Sequence, residues 1–195
     1  LGSDAIQSKS LMVECARRFG AIVLPPTHLG PDRGGGNLLY GMDYHESTDP
    51  QRQLEGSCYW VSDGFFGTLI DAILAQLKRA GFRMVFTDGH GPSRDAWCTA
   101  IPEREQRFGL KLAGATDDLI SEWKSQIDHA SRNETSLVLH YREDLTDLGQ
   151  PPDDRGVWPQ GLADEDPRDA SSEYGKECME GAVAIVGRLI EESRV

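Results

Sequence analysis

The stretch "FRMVFTDGHGPSRDAW", residues 82–97, constrains this chain more than any other. An apolar, β-prone run stops at Thr87-Asp88, and a helical pattern begins within a few residues. A strand that turns into a helix over so short a distance reads as one arm of a strand–helix–strand unit. In such a unit the helix crosses over and covers a parallel sheet.

The alternation continues along the chain. Ile6, Met12, Val13, Ala16 and Phe19 approximate one helical face, with Gly20 as its stop. "AIVLPP", residues 21–26, reads as a short buried strand closed by two prolines. Residues 28–60 are rich in glycine and turn formers, and a loop that long inside a domain is commonly functional. From Ser62 onward Leu69, Ile70, Ile73, Leu74 and Leu77 share a face, and Gly81 sits where the helix should end.

A third helix is expected from about Ser93 and a weak strand at "GLKLAG". Further helices are expected at "DDLISEWKSQIDHA" and "NETSLVLHYRED", with Asn133 a candidate N-cap of the second. Residues 149–171 are polar and proline-rich. The final helix, from about Ser172, turns Ala182, Val183, Val186, Leu189 and Ile190 toward the core. This order predicts an α/β fold with a mostly parallel sheet covered on both faces, and no internal repeat or domain boundary stands out.

A length of 195 residues suits one domain with a real core, so residues 1–195 are read as a single domain. The formal charge of −12 repels phosphate backbones and anionic lipid, which argues against nucleic acid or membrane as partner. No apolar run approaches the roughly 20 residues that span a bilayer. Cys15, Cys58, Cys98 and Cys178 are far apart and form no C-x-x-C, which suits reduced thiols better than a disulfide framework. The expectation is a cytoplasmic globular protein. A helical pattern that starts almost at Leu1 further suggests a chain whose beginning is missing.

Three places carry candidate chemistry. His90 falls two residues past a strand end, where open α/β sheets bind ligands, with Asp88 positioned to orient its ring. An ordinary turn histidine bonded to nearby backbone is the competing reading. In "HASRNETS", residues 129–136, His129 precedes a helix start and Glu134 lies in its first turn. Glu134 there is favoured by the helix dipole alone, or serves as a ligand or proton carrier. Asp4 precedes the first helix and either caps it or joins the others. Carboxylates and imidazoles gathered at one sheet edge suit zinc, manganese or iron.

These stretches resemble the creatininase family of creatinine amidohydrolase-like metal-dependent hydrolases. "LGSD" is similar to the end of the family's LP-x-G-[ST]-D motif, and "GFRMVFTDGHG" to its strand leading into NGHGGN. "HASRNETS" is similar to HAG-x-x-ETS, and "GVWPQGLADEDPRDASSEYGKECMEGAV" to GV-x-GDP-x-x-AT-x-x-x-G with its last helix. The likeness runs from Leu1 to about Val186.

The resemblance implies a three-layer α/β/α sandwich, often a homo-oligomer, and two divalent metal ions at the strand ends. It implies Asp4, His90 and Glu134 as metal residues and His129 as the catalytic residue beside the scissile amide. His45, in "YGMDYHEST", matches a histidine near the family's site and is a candidate for substrate binding. The implied reaction cleaves a C–N bond of a small amide, lactam or formamide by a metal-bound hydroxide.

Departures accompany the match. The family's Glu-x-His pair, about ten residues before the bridging aspartate, has no counterpart here. The expectation is therefore an N-terminally shortened chain that lacks its first strand, holds metal weakly and hydrolyses little. Asp88 replaces an asparagine, and Ser131 stands in place of the HAG glycine. Pro92 occupies a position where creatinine-cleaving members carry a glutamate, which argues against creatinine as substrate. A catalytically inactive binding or assembly subunit is the alternative reading.

Overall fold

A computed structural model of the chain describes residues 2–31, 60–114, 122, 128, 130–157 and 165–193. It divides into two compact units, Pro26–Thr116 and a discontinuous one made of Leu1–Pro25 with Asp117–Val195. Among the described residues no helix is long and apolar enough to cross a membrane.

The continuous unit holds β1 (Gly30–Pro31) and β2 (Trp60–Val61), which pair in parallel, and then α2 (Asp63–Arg79), numbered after the helix α1 of the other unit. Ser62 caps α2 by accepting the Phe65 N–H at 3.3 Å. At its other end Gly81 takes φ 88°, the left-handed conformation glycine adopts cheaply. The Gly81 N–H then reaches the Lys78 carbonyl and the Phe82 N–H the Leu77 carbonyl, both at 3.1 Å. That pair of bonds is a Schellman stop, and it folds Phe82 back onto the same apolar cluster as Leu77.

Next come β3 (Met84–Thr87), α3 (Gly91–Thr99), α4 (Ile101–Phe108) and β4 (Lys111–Gly114). The two strands pair in parallel, Met84 opposite Lys111 and Thr87 opposite Gly114, as the sequence pattern leads one to expect. Leu74, Leu77, Trp97, Leu110 and Leu112 form the buried cluster between helices and strands. Burying each such side chain contributes about 1.5–3 kcal/mol, so this cluster outweighs any single cap. Trp97 satisfies its indole N–H on the Ala113 carbonyl at 3.1 Å. It leaves no room at Gly114, where a Cβ would come within 2.8 Å of the indole.

The discontinuous unit is helical among its described residues: α1 (Ser3–Phe19), α5 (Arg132–Arg142) and α6 (Ser172–Glu192). α6 lies along α5, and α1 packs on both. Leu11, Cys15, Leu137, Cys178, Met179, Ala182, Val183 and Val186 are buried there. Ser171 caps α6 by accepting the Tyr174 N–H at 3.1 Å. Cys15 and Cys178 are buried and Cys98 is half-buried, and none of the three is in a disulfide.

Three expectations change. The buried stripe of α1 is Gln7, Leu11 and Cys15, while Ile6, Met12, Val13, Ala16 and Phe19 are half-buried. The apolar residues flank the stripe, because its first position is held by a glutamine bonded to a buried carboxylate. The run at 21–26 forms no strand: it is exposed, with Ile22 at 69% exposure, and has no ladder partner among the described residues. Asn133 does not cap α5, since it lies inside the helix and the cap position is Ser131. Of the helix expected over residues 117–130, three residues are described: Glu122 is helical, whereas Asp128 and Ala130 lie in bends and Ala130 has φ 51°.

Candidate functional site

His90 is the N-cap residue of α3, with φ −59° and ψ 145°. Its carbonyl accepts the N–H groups of Ser93 and Arg94 at 3.0 Å each. Pro92, buried in the first turn, supplies the fixed φ that starts the helix where a free N–H would have no partner anyway. Neither Gly89 nor Gly91 has a positive φ, and a Cβ at Gly89 would meet nothing within 4 Å. The turn is therefore made by proline and an extended His90, with neither flanking glycine in the left-handed region. Asp88, directly after β3, is half-buried.

Asp4 is a first-turn residue of α1, whose N-cap is Gly2. It is therefore not the cap that one reading of the sequence made it. Its carboxylate suits the positive end of the helix. One residue earlier, the Ser3 hydroxyl donates to Glu134 Oε1 at 2.6 Å. Gln7, one turn along α1, donates from Nε2 to the same oxygen at 3.5 Å. The Ala130 N–H donates to Glu134 Oε2 at 2.6 Å. The first turns of α1 and α5, 131 residues apart in sequence, are thus joined through one carboxylate.

Glu134 is 8% exposed, and a carboxyl group so buried needs hydrogen-bond donors in place of water. Three donors take that place here, and the Asp128 carboxylate holds the backbone beneath. Asp128 accepts the Asn133 N–H at 2.6 Å and the Glu134 N–H at 3.0 Å. Its side chain therefore does the capping of α5 that sequence reading gave to Asn133. Asn133, buried, donates to Cys178 Sγ at 3.3 Å, and the Ser136 hydroxyl oxygen accepts the Ser171 N–H at 3.0 Å. Burial raises the Tyr174 phenol above its usual pKa, helped by the neighbouring Cys178, with Arg132 opposing.

Within the motif "HASRNETS", Ser131, Asn133, Glu134 and Ser136 are buried, Arg132 and Thr135 are half-buried and Ala130 is exposed. Asp4 and Glu134 belong to the discontinuous unit, and His90 and Asp88 to the continuous one. His45 and His129 lie outside the described residues. Among the described residues no three of His, Cys, Asp and Glu converge as a cation site. The donor types still fit a hard or borderline divalent ion. Glu134 supports the fit directly: Oε1 takes two donors and Oε2 one, which leaves Oε2 an acceptor direction unused among the described residues. Sequence reasoning missed Ser3, Gln7, Asp128 and Ser136. The neighbourhood of Ser3 to Asp4 was the available signal.

The creatinine amidohydrolase family model matches residues 1–190. No curated protein matches the chain. Among solved structures it is similar to a putative creatinine amidohydrolase from Bacteroides fragilis NCTC 9343, with TM-score 0.67 and 21% identity over 98% of this chain and 81% of that one. It is similar to a creatinine amidohydrolase (creatininase), with TM-score 0.67 and 19% identity over 100% and 84% of the two chains. A mutant creatininase of the Zn-Zn type gives TM-score 0.68 and 18% identity over 100% and 84%. These likenesses show the creatininase-like α/β fold.

Proposed function

We infer the reaction from one premise: this chain belongs to the creatinine amidohydrolase (creatininase) family. The reading is a metal-dependent amidohydrolase that cleaves a C–N bond of a small amide, lactam or formamide. The observation that carries it is the Ser3–Glu134 hydrogen bond of 2.6 Å, which brings the glutamate of one motif to the turn that bears the aspartate of another.

In this reading Asp4, His90 and Glu134 hold two divalent ions, with Asp88 fixing the His90 ring. One creatininase of the same fold is a Zn-Zn type and another a Mn form, and both metals accept carboxylate and imidazole donors. When bound, such a pair acidifies water toward neutral pH and polarises a carbonyl. Glu134, shielded from solvent and held by its hydrogen-bond donors, would keep its direction when substrate enters. His129 gives its proton to the leaving nitrogen, and His45 takes part in substrate binding. Pro92 offers no carboxylate beside His90, which argues against creatinine as the substrate. Assembly as a homo-oligomer in the cytoplasm belongs to the same proposal.

The test is hydrolysis of a panel of lactams and formamides by the purified chain with added manganese or zinc, alongside Asp4→Asn. Turnover that requires metal and is lost in the variant supports the reading. Metal binding without turnover on any member of the panel favours a binding or assembly subunit.

A further inference from the structure

We propose that Ser3 and Gln7 are positioning residues for Glu134, fixing which of its oxygens faces the metal site; this rests on the metal-site reading given above. Ser3 Oγ and Gln7 Nε2 both point at Oε1, at 2.6 and 3.5 Å, and together they use its two lone pairs. Ala130 takes one acceptor direction of Oε2. Glu134 is therefore directed to offer Oε2 and to act through a single oxygen.

The second observation is the state of Gln7. It is 2% exposed, yet its Oε1 is buried without a hydrogen bond among the described residues. A buried acceptor left unmet destabilises the fold, and an apolar side chain of similar length would avoid that cost. Turning the amide over would not help, because it would set oxygen against the Glu134 carboxylate. A glutamine that lowers stability where methionine or leucine would fit is explained by what its Nε2 does for Glu134. Ser3 carries the stronger bond and sits beside Asp4, so one helical turn bears a metal carboxylate and the group that aims the other.

The experiment is titration of the metal-free chain with Mn²⁺, following the free-ion EPR signal, which reads weak sites as well as tight ones. Each variant's metal-free melting temperature is measured beside it. Ser3→Ala should weaken Mn²⁺ binding by about tenfold or more, the usual effect of removing a group that orients a ligand. Ser3→Thr, which keeps the hydroxyl, should restore the affinity. Gln7→Met should melt at or above the parent temperature while binding Mn²⁺ more weakly. That opposition of stability and affinity is one a packing role does not produce.

Asp4→Asn and Glu134→Gln separate the two levels. If both lose Mn²⁺ while Ser3→Ala and Gln7→Met bind as the parent does, the positioning role is overturned and the metal site stands. If Asp4→Asn and Glu134→Gln bind as the parent does, the metal-site reading fails and the positioning role goes with it. Should Ser3→Ala fail to fold, Ser3→Thr and Gln7→Met decide.

Discussion

Gly175 of α6 lies so close to Ser136 of α5 that a Cβ on the glycine would run into the serine's carbonyl oxygen and also meet the His140 Cβ at 3.0 Å. The two helices approach at this point because one of them has no side chain. Gly→Ala inside a helix ordinarily gains up to about 1 kcal/mol. Here the obstacle is backbone, which cannot rotate aside, so Gly175→Ala should cost about 1–3 kcal/mol by overpacking. Gly187 offers the contrast, since a Cβ there would meet the Phe19 ring at 2.6 Å. A ring can pivot, so Gly187→Ala should cost less. Urea unfolding of the two variants checks the order.

Asp128 accepts two N–H groups at the start of α5 with two different oxygens. Asp128→Ala should lose about 1–2 kcal/mol, the upper range for an N-cap, because a charged acceptor is removed from buried donors. Asp128→Asn keeps one acceptor and should lose less. Hydrogen exchange at the Asn133 and Glu134 amides should speed up first.

His140 has its pKa lowered, first by burial and then by Lys176, while Glu180 pulls the other way. Lys9, Glu14 and Arg17 of α1 share a cavity wall with it. A histidine held neutral in the fold binds fewer protons than its unfolded counterpart. Stability is then full above the unfolded pKa of about 6.5 and falls as pH drops through the folded value. His140→Gln should flatten that fall. Urea midpoints compared from about pH 7.5 down to 5 measure it.

Arg104, 7% exposed, donates from Nε to Asp71 at 2.9 Å, and Arg107 bonds the same carboxylate. The Arg104 Nη1 is buried with no hydrogen bond among the described residues. Asp71→Asn leaves a buried guanidinium without its charge partner and should cost up to about 3 kcal/mol. Arg104→Met removes the charge and keeps the packing against Trp97, so about 1 kcal/mol is expected. Chemical denaturation of both gives the comparison, and equal losses would contradict it.

Glu105 accepts the Leu112 N–H at 2.8 Å and pairs with Lys111 at 3.2 Å. The backbone bond is the main reason its pKa is lowered, with Lys111 adding to it and burial opposing. Its contribution is present above the unfolded pKa of about 4.3 and lost as pH falls through the lower folded value. Glu105→Gln should therefore cost about 1 kcal/mol near neutrality and nothing in strong acid. Thermal melts across acid pH test this.

What the sequence disclosed and concealed follows from which residues have a pattern. The stop of α2 was legible because Gly81 is needed there, and β3 and β4 because apolar runs end in turn formers. The family motifs marked Asp4, His90 and Glu134. The buried stripe of α1 was hidden because it opens with Gln7, which counts as surface in any apolar periodicity. Asp128 escaped because its capping reaches five and six residues along the chain, beyond the usual N-cap spacing. Residues 21–26 misled because β-propensity describes fit to a neighbouring strand, and none lies beside them among the described residues.

The discontinuity of the helical unit sets an order of events during synthesis. Pro26–Thr116 is one uninterrupted stretch and can organise as soon as it leaves the ribosome. α1 emerges before that stretch but has to wait for partners encoded more than a hundred residues later, and closing so long a loop is slow. Until then its apolar side is a natural client for chaperones, and a ribosome that stops early releases a protein with one half finished.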